Sequence, residues 1–182
     1  MIFLLILVSP VLSDVSERLR EVKSIECDFS EVLLFQGDTL NFKGTVYAVR
    51  DRARIDVFEP EREVMIFKGD SVFIWIEKTN QIYREKTPMV FYDVLFSPAK
   101  SYRVDSTNSG WVHLSSLKNK NNYPISVKFN KNLLPEKINF VQEAGRGMFN
   151  FDSYRLNKTY PENFFSLDFP VAASNLTTTD GQ

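Results

Sequence analysis

From Ser24 onward, apolar and polar residues alternate along most of this 182-residue chain. In the first such stretch, Ile25, Cys27 and Phe29 occupy alternate positions. A period of two is the pattern of a β-strand that buries one face and exposes the other. The pattern recurs in about eleven segments, and short turn signals such as residues 108–110 separate neighbouring segments. Strands joined by short turns favour an antiparallel meander, so the sequence predicts a mainly β (α+β) fold.

Little helix accompanies these strands. Residues 14–22 predict a short amphipathic helix, residues 88–96 predict an apolar helix that begins at Pro88, and residues 160–165 predict a helical turn. The polar tail after Ala173 is expected to be loose. The candidate strands are residues 25–35, 40–49, 53–58, 64–67, 71–77, 81–84, 101–105, 111–117, 125–129, 136–142 and 147–157.

A wide antiparallel sheet must bury one of its faces, and two or three helices are too few to cover it if it stays flat. We therefore expect the sheet to curl, with the helices acting as a plug or lid. Two interpretations stay open. The curled sheet could enclose an apolar cavity for a ligand, or the same residues could form a well-packed core.

Composition narrows the classes of function. The length fits one domain, and 43% apolar with 25% charged residues is typical of a globular protein. A formal net charge of −1 argues against a nucleic-acid partner. A single Cys and a single His exclude an internal disulfide and multi-Cys or paired-His metal sites, so we expect no metal and no cofactor. We interpret Cys27 as a buried apolar residue and His113 as a structural or surface residue, because no nucleophile motif accompanies the histidine.

The first 13 residues are mostly apolar and carry no charge. This run is too short to cross a bilayer, which needs about 20 residues, and it is typical of a secretory signal peptide. Val11 and Ser13 suit the positions that precede a cleavage site. We therefore predict a signal peptide over residues 1–13, cleaved near Ser13, and one exported domain over residues 14–182. The alternative is a buried N-terminal strand.

Several segments, taken in order, resemble a known family. They are residues 19–31, Gly44 to Tyr47 with Arg50, residues 54–56, residues 69–81, Thr87 with Pro88, residues 147–157, Phe165 and Pro170. Together they make the chain resemble the LolA-type lipoprotein chaperones, the periplasmic carriers of outer-membrane lipoproteins. The chain departs from the family pattern at Cys27, Glu31 and Asp51, where the family usually has Ala, Gln and Pro.

The resemblance implies both a fold and a function. The fold is an incomplete antiparallel β-barrel of about eleven strands, with two or three helices covering an apolar cavity. The function is that of a monomeric periplasmic chaperone without enzymatic activity, which binds the acyl chains of lipoproteins. It would receive them from an inner-membrane lipoprotein-releasing ABC transporter and deliver them to an outer-membrane lipoprotein receptor. One alternative is a lipid- or lipoprotein-binding sensor or scaffold in the cell envelope, and another is an enzyme on a small barrel.

We expect acyl chains to contact the opening helix, the mid-chain lid and one face of the second and third strands. Large, adaptable apolar side chains suit a site that must load and release its guest. Each of these residues could instead be ordinary core. The predicted cavity residues are Leu19, Val22, Phe42, Val46, Ile55, Val57, Met89, Val90, Phe91 and Leu95.

Arg50 is the polar residue that the resemblance marks. The matching arginine of the family hydrogen-bonds the lid backbone, which implies a role for Arg50 as a gate. A guanidinium group has five donors and can hold several carbonyl groups at once. The alternative is a strand arginine that pairs with Asp51 or Asp56 and contributes well under about 1 kcal/mol.

Overall fold

The computed structural model describes residues 10–69, 71–86, 94, 96, 98–117, 124–142, 145–166 and 176–178. Helix α1 spans Pro10–Arg20, helix α2 spans Pro98–Ser101, and a 3-10 helix spans Glu162–Phe165. The strands are β1 Ser24–Phe35, β2 Asp38–Val49, β3 Arg52–Glu59, β4 Glu63–Lys68, β5 Ser71–Ile76, β6 Gln81–Lys86, β7 Tyr102–Asn108, β8 Trp111–Ser116, β9 Ile125–Phe129, β10 Pro135–Gln142, β11 Gly145–Leu156 and β12 Leu176–Thr178.

The twelve described strands form one sheet in the order β12-β6-β5-β4-β3-β2-β1-β11-β10-β9-β8-β7. All neighbours are antiparallel except β12, which runs parallel to β6. Strand β1 pairs with both β2 and β11, so the first strand lies inside the sheet rather than at an edge. Within the described residues β7 and β12 are unjoined edges, and the sheet is open. The predicted incomplete antiparallel barrel of about eleven strands is therefore confirmed.

Alternation separates an inner face from an outer face. In β3, Ala53, Ile55 and Val57 are buried, whereas Arg54 and Asp56 between them are only half-buried. We call the side that carries these three apolar residues the inner face, because they belong to the central core cluster. Side chains of β1, β2, β4 and β11 in register with them extend this face across the sheet.

Helix α1 packs into the core of the inner face. Three apolar side chains of the helix, at spacings of three and four residues, form one stripe, and Val22 continues this stripe just past the end of the helix. The predicted helix began at residue 14, whereas the described part of the helix already includes Pro10, and Leu12 continues the apolar stripe ahead of the predicted start. The helix therefore runs through Ser13, where cleavage stays a prediction. The buried residues of the stripe are Leu12, Val15, Leu19 and Val22.

The chain between β6 and β7 connects opposite sides of the open sheet. Two of its described residues, Val94 and Pro98, are buried, and α2 contacts α1. The predicted mid-chain helix over residues 88–96 otherwise lies outside the described residues. Among the residues that are described, no helix is both long enough and apolar enough to cross a bilayer.

The expectation of a loose tail after Ala173 is wrong for Leu176–Thr178. These residues pair in parallel with Ile82, Tyr83 and Arg84 at the edge of β6. An exposed strand edge offers unpaired backbone groups to any extended segment. Because this pairing uses the backbone and is only three residues long, no alternation of apolar and polar residues in the sequence predicts it.

Candidate functional site

The inner face gathers the predicted cavity residues that the structure describes. Val46 and Ile55 lie directly opposite each other on β2 and β3, and Val57 faces Gly44 one step further along. Leu19, Val22, Val46, Ile55 and Val57 are all buried in the core cluster, and Phe42 is half-buried against it. Contact of these six residues with a ligand stays a prediction. The other four predicted residues, Met89, Val90, Phe91 and Leu95, lie outside the described residues.

A cluster of phenylalanines occupies the inner face near the middle of β1. The Phe149 ring centroid lies 6.0 Å from that of Phe29, 5.6 Å from Phe140 and 5.7 Å from Phe151. Phe29 and Phe151 are buried, whereas Phe140 and Phe149 are half-buried. We call these four residues the phenylalanine cluster. None of these four residues was among the predicted cavity residues. Their pairings across β1, β11 and β10 place them on the same face of the sheet as Ile25.

Two glycines leave room on the sheet for the rings of this cluster. A Cβ at Gly147 would lie 2.3 Å from Cζ of Phe140, the residue paired with it on β10. A Cβ at Gly44 would lie 2.7 Å from Cε1 of Phe29 and 2.1 Å from the backbone oxygen of Asp56. Contacts this short do not occur at real Cβ atoms, so a side chain at Gly44 would collide with backbone, and one at Gly147 would have to displace the Phe140 ring.

Glu31 lies on the inner face beside the cluster. Its neighbours across the sheet are Phe42 on β2 and Phe149 on β11. Burial raises the pKa of the Glu31 carboxyl to about 7. In the part of the chain that the structure describes, no cation or hydrogen-bond donor contacts this carboxyl group. Sequence reasoning noted Glu31 only as a departure from the family pattern, although its odd position on β1 could have placed it on the apolar face.

Arg50 fastens the end of α1 to the turn between β2 and β3. Its Nη2 donates a hydrogen bond to the backbone oxygen of Arg20 at 2.5 Å. The carboxylates proposed as alternative partners bind other residues, since Asp51 pairs with Arg52 and Asp56 pairs with Arg54. The arginine therefore binds the backbone of α1. The predicted lid lies mostly outside the described residues, and the role of Arg50 as a gate stays a prediction.

The outer face is covered differently, by the segment from residue 157 to 166, which we call the strap. Tyr47 on β2 packs edge-on against Tyr160 and Phe164 of the strap, with ring centroids 5.9 and 5.0 Å apart. The Arg54 guanidinium lies 4.8 Å above the Phe164 ring and donates a hydrogen bond to the Phe164 backbone oxygen. The strap includes the predicted helical turn, observed as Glu162–Phe165.

Glu26 anchors the strap electrostatically. Its buried carboxylate accepts hydrogen bonds from Arg155, Lys158 and the Tyr160 hydroxyl. Burial raises the pKa of this carboxyl, but the three hydrogen bonds outweigh burial and leave the pKa below its usual value. The network is a structural tie between β1, β11 and the strap.

A cavity of about 410 Å³ lies between the strap and strands β3 to β5 on this outer face. Two arginines and two polar strap residues line it, so it differs from the apolar site predicted for acyl chains. Its lining residues are Arg54, Arg62, Val64, Trp75, Asn163, Phe164 and Ser166.

The other titratable side chains considered in the sequence lie within the packing and hydrogen bonding of the sheet. Cys27 is buried beside Tyr154, and burial raises the pKa of its thiol to about 12, so the thiolate is not available at neutral pH. His113 Nδ1 lies 2.8 Å from the Ser126 hydroxyl on the neighbouring strand. Across the described ranges, no group of three or more His, Cys, Asp or Glu residues could hold a metal ion.

Solved structures match this chain by fold. A DUF1329 family protein of Desulfovibrio piger aligns with a TM-score of 0.53 at 8% identity, over 87% of this chain and 98% of its own. An outer-membrane lipoprotein-sorting protein domain of Vibrio parahaemolyticus gives 0.52 at 12% identity over 86% and 94%. A LolA superfamily protein of Nitrosomonas europaea gives 0.50 at 11% identity over 86% and 97%. No family model and no curated protein matches the chain by sequence. The likeness at such low identity is one of fold.

Proposed function

We propose that this protein is a periplasmic carrier that binds the acyl chains of lipoproteins on the inner face of its open sheet. It would take them from an inner-membrane ABC transporter and deliver them to an outer-membrane receptor, without catalysing a reaction. The observation that carries the proposal is that the apolar side chains of the inner face are buried to different extents. The stripe of α1 is fully buried, whereas Phe42, Phe140 and Phe149 stay half-buried. The fold shared with a LolA superfamily protein and a lipoprotein-sorting domain supports it.

Partial shelter is what a carrier requires. Burying one methylene group contributes about 0.8 kcal/mol, so a fully buried 16-carbon chain gains roughly 12 kcal/mol. Full shelter of two or three such chains would make release too slow. Half-buried phenylalanine rings shield only part of an acyl chain from water. Because the rings are still partly exposed, a guest can reach them without unfolding of the core.

The hydrogen bond of Arg50 supplies a physical basis for gating. It ties the C-terminal carbonyl of Arg20 to the β2–β3 turn, at one end of the helix whose stripe fills the inner face. Any movement of α1 away from the sheet at that end must break this bond. Because the bond is exposed, water can replace it at low cost, which suits a latch that opens and closes.

The test is release of a labelled lipoprotein from inner-membrane vesicles by the purified protein. Wild type is expected to form a soluble complex with the lipoprotein, and Phe149→Ala is expected to lower the yield several-fold. Phe58→Ala is the control, because Phe58 is 54% exposed and belongs neither to the core cluster nor to the phenylalanine cluster. No soluble complex with wild type would refute the carrier role. Equal loss in both variants would refute the assignment of the site to the inner face.

A further inference from the structure

Glu31 is an anomaly of the inner face. Along β1 it lies between Phe29 and Leu33 on that face, and across the sheet it lies between Phe42 and Phe149. An ionised carboxylate among apolar groups is costly unless a cation or hydrogen-bond donors reach it. The described part of the chain offers it neither.

The charged groups nearby do not compensate for it. On β2 and β11, the inner-face positions that flank Glu31 are apolar residues or glycine, and the lysine beside Phe42, Lys43, pairs with Glu59 at 2.9 Å. The charged side chains of α1 are exposed. On β4, Glu63 lies opposite Val57 and so shares the inner face, where burial and the charge of Glu61 raise the pKa of its carboxyl. This end of the inner face therefore carries negative charge without a positive partner among the described residues.

We propose that Glu31 binds the primary ammonium group of an acylated guest whose hydrocarbon chain lies on the phenylalanine cluster. The inference rests on the proposed function and adds to it a class of guest, an amphiphile with a free amine at its polar end. An ammonium group supplies both the positive charge and the N–H donors that the carboxylate lacks. In the setting of a lipoprotein, this group is a free α-amino terminus that carries no third acyl chain.

The first experiment tests the apolar face and the ammonium site separately with three twelve-carbon probes, each used below the concentration at which it forms micelles or separates from solution. Dodecylamine, dodecanol and dodecyl sulfate compete with a fluorescent fatty-acid probe for the full-length protein at pH 8. Dodecanol binding tests the apolar face alone, and its absence would overturn the proposed function. Dodecylamine is expected to bind at least tenfold more tightly than dodecanol. If dodecanol binds and dodecylamine binds no better, the ammonium site is wrong while the apolar site stands.

Variants assign the preference to one carboxyl group. Glu31→Gln is expected to abolish the preference for the amine while leaving the affinity for dodecanol within about twofold. Glu63→Gln is the matched control, with the same chemistry on the same face three strands away, and it is expected to keep the preference. A preference that survives Glu31→Gln, or that disappears equally in Glu63→Gln, would overturn the assignment. Lowering the pH to 5 is expected to reduce the preference of wild type, because protonated Glu31 bears no charge.

The second experiment identifies the source of the amine. A synthetic diacylated lipopeptide with a free α-amino group is compared at pH 7 with its N-acetylated form and with phosphatidylethanolamine. The free lipopeptide is expected to bind at least fivefold more tightly than the acetylated one, and this ratio is expected to fall to about one in Glu31→Gln. Equal binding of the two lipopeptides, or tighter binding of phosphatidylethanolamine than of the free lipopeptide, would overturn the lipopeptide amine as the guest.

Discussion

Replacing Glu31 by Gln is expected to stabilise the free protein at pH 8 and to change its stability little near pH 4. Burial raises the pKa of Glu31 from 4.5 to about 7. The unfolded chain then loses this proton at lower pH than the folded protein does, so the free energy of unfolding decreases as the pH rises from 4.5 to about 7. This difference between the two pKa values corresponds to about 3 kcal/mol of unfolding free energy. We expect the variant to gain about 1–2 kcal/mol at pH 8, because the side chain is not fully shielded from water.

Urea unfolding of wild type and Glu31→Gln at pH 4, 6 and 8 measures this directly. The variant removes the charge but keeps the shape, so the difference in unfolding free energy isolates the ionisation. Glu85→Gln is a suitable control, because Glu85 is an exposed residue near the end of β6 and its replacement should have little effect at any pH. A difference for Glu31→Gln that is the same at all three pH values would show that its carboxylate is not desolvated, and would remove the reason for an ammonium partner.

Three further substitutions test other parts of the structure. Gly147→Ala is expected to cost about 1–3 kcal/mol, because the added Cβ would lie 2.3 Å from the Phe140 ring; an unchanged melting temperature contradicts this packing. Arg50→Leu is expected to stay folded but to release several-fold less lipoprotein from vesicles, and full release would remove Arg50 from the mechanism. Glu26→Gln is expected to cost about 1–3 kcal/mol at pH 7 in urea unfolding. That loss should shrink well below pH 4, where the carboxyl with its lowered pKa gains a proton, and a constant loss would refute the ionic tie.

The strands could be predicted because the two faces of a strand meet different environments, one apolar and one more polar. Buried Ala53, Ile55 and Val57 alternate with half-buried polar residues, and this contrast is visible in the sequence before any partner strand is known. The start of α1 could not be located as well, because the apolar run that precedes Ser13 is equally typical of a signal peptide. Strand β12 could not be predicted from the pattern of side chains, since its pairing with β6 involves the backbone alone.

Part of the apolar inner face could be predicted for the same reason, whereas ligand binding at its residues stays a prediction. Val46, Ile55 and Val57 could be assigned to one face by counting residues, and the structure places them together. Phe149 could be assigned to a face in the same way, but its packing against Phe29 depends on the pairing of β1 with β11, more than 100 residues later in the chain. Single-sequence patterns carry no information about which distant strands pair, so the phenylalanine cluster emerged only from the structure.

The contrast between Glu26 and Glu31 shows how strand pairing decides chemistry. The two glutamates lie on the same strand at an odd spacing, so they face opposite sides of the sheet. Glu26 meets Arg155 and other donors on the outer face, and its pKa falls, whereas Glu31 meets aromatic rings on the inner face, and its pKa rises. A shift of one residue in the register would exchange these environments. A polar residue on an apolar face breaks the rule that shapes the rest of β1, and such local violations are expected where binding, rather than stability, determines the residue. The proposed ammonium guest would account for a carboxyl group at Glu31 that the packing of the fold does not require.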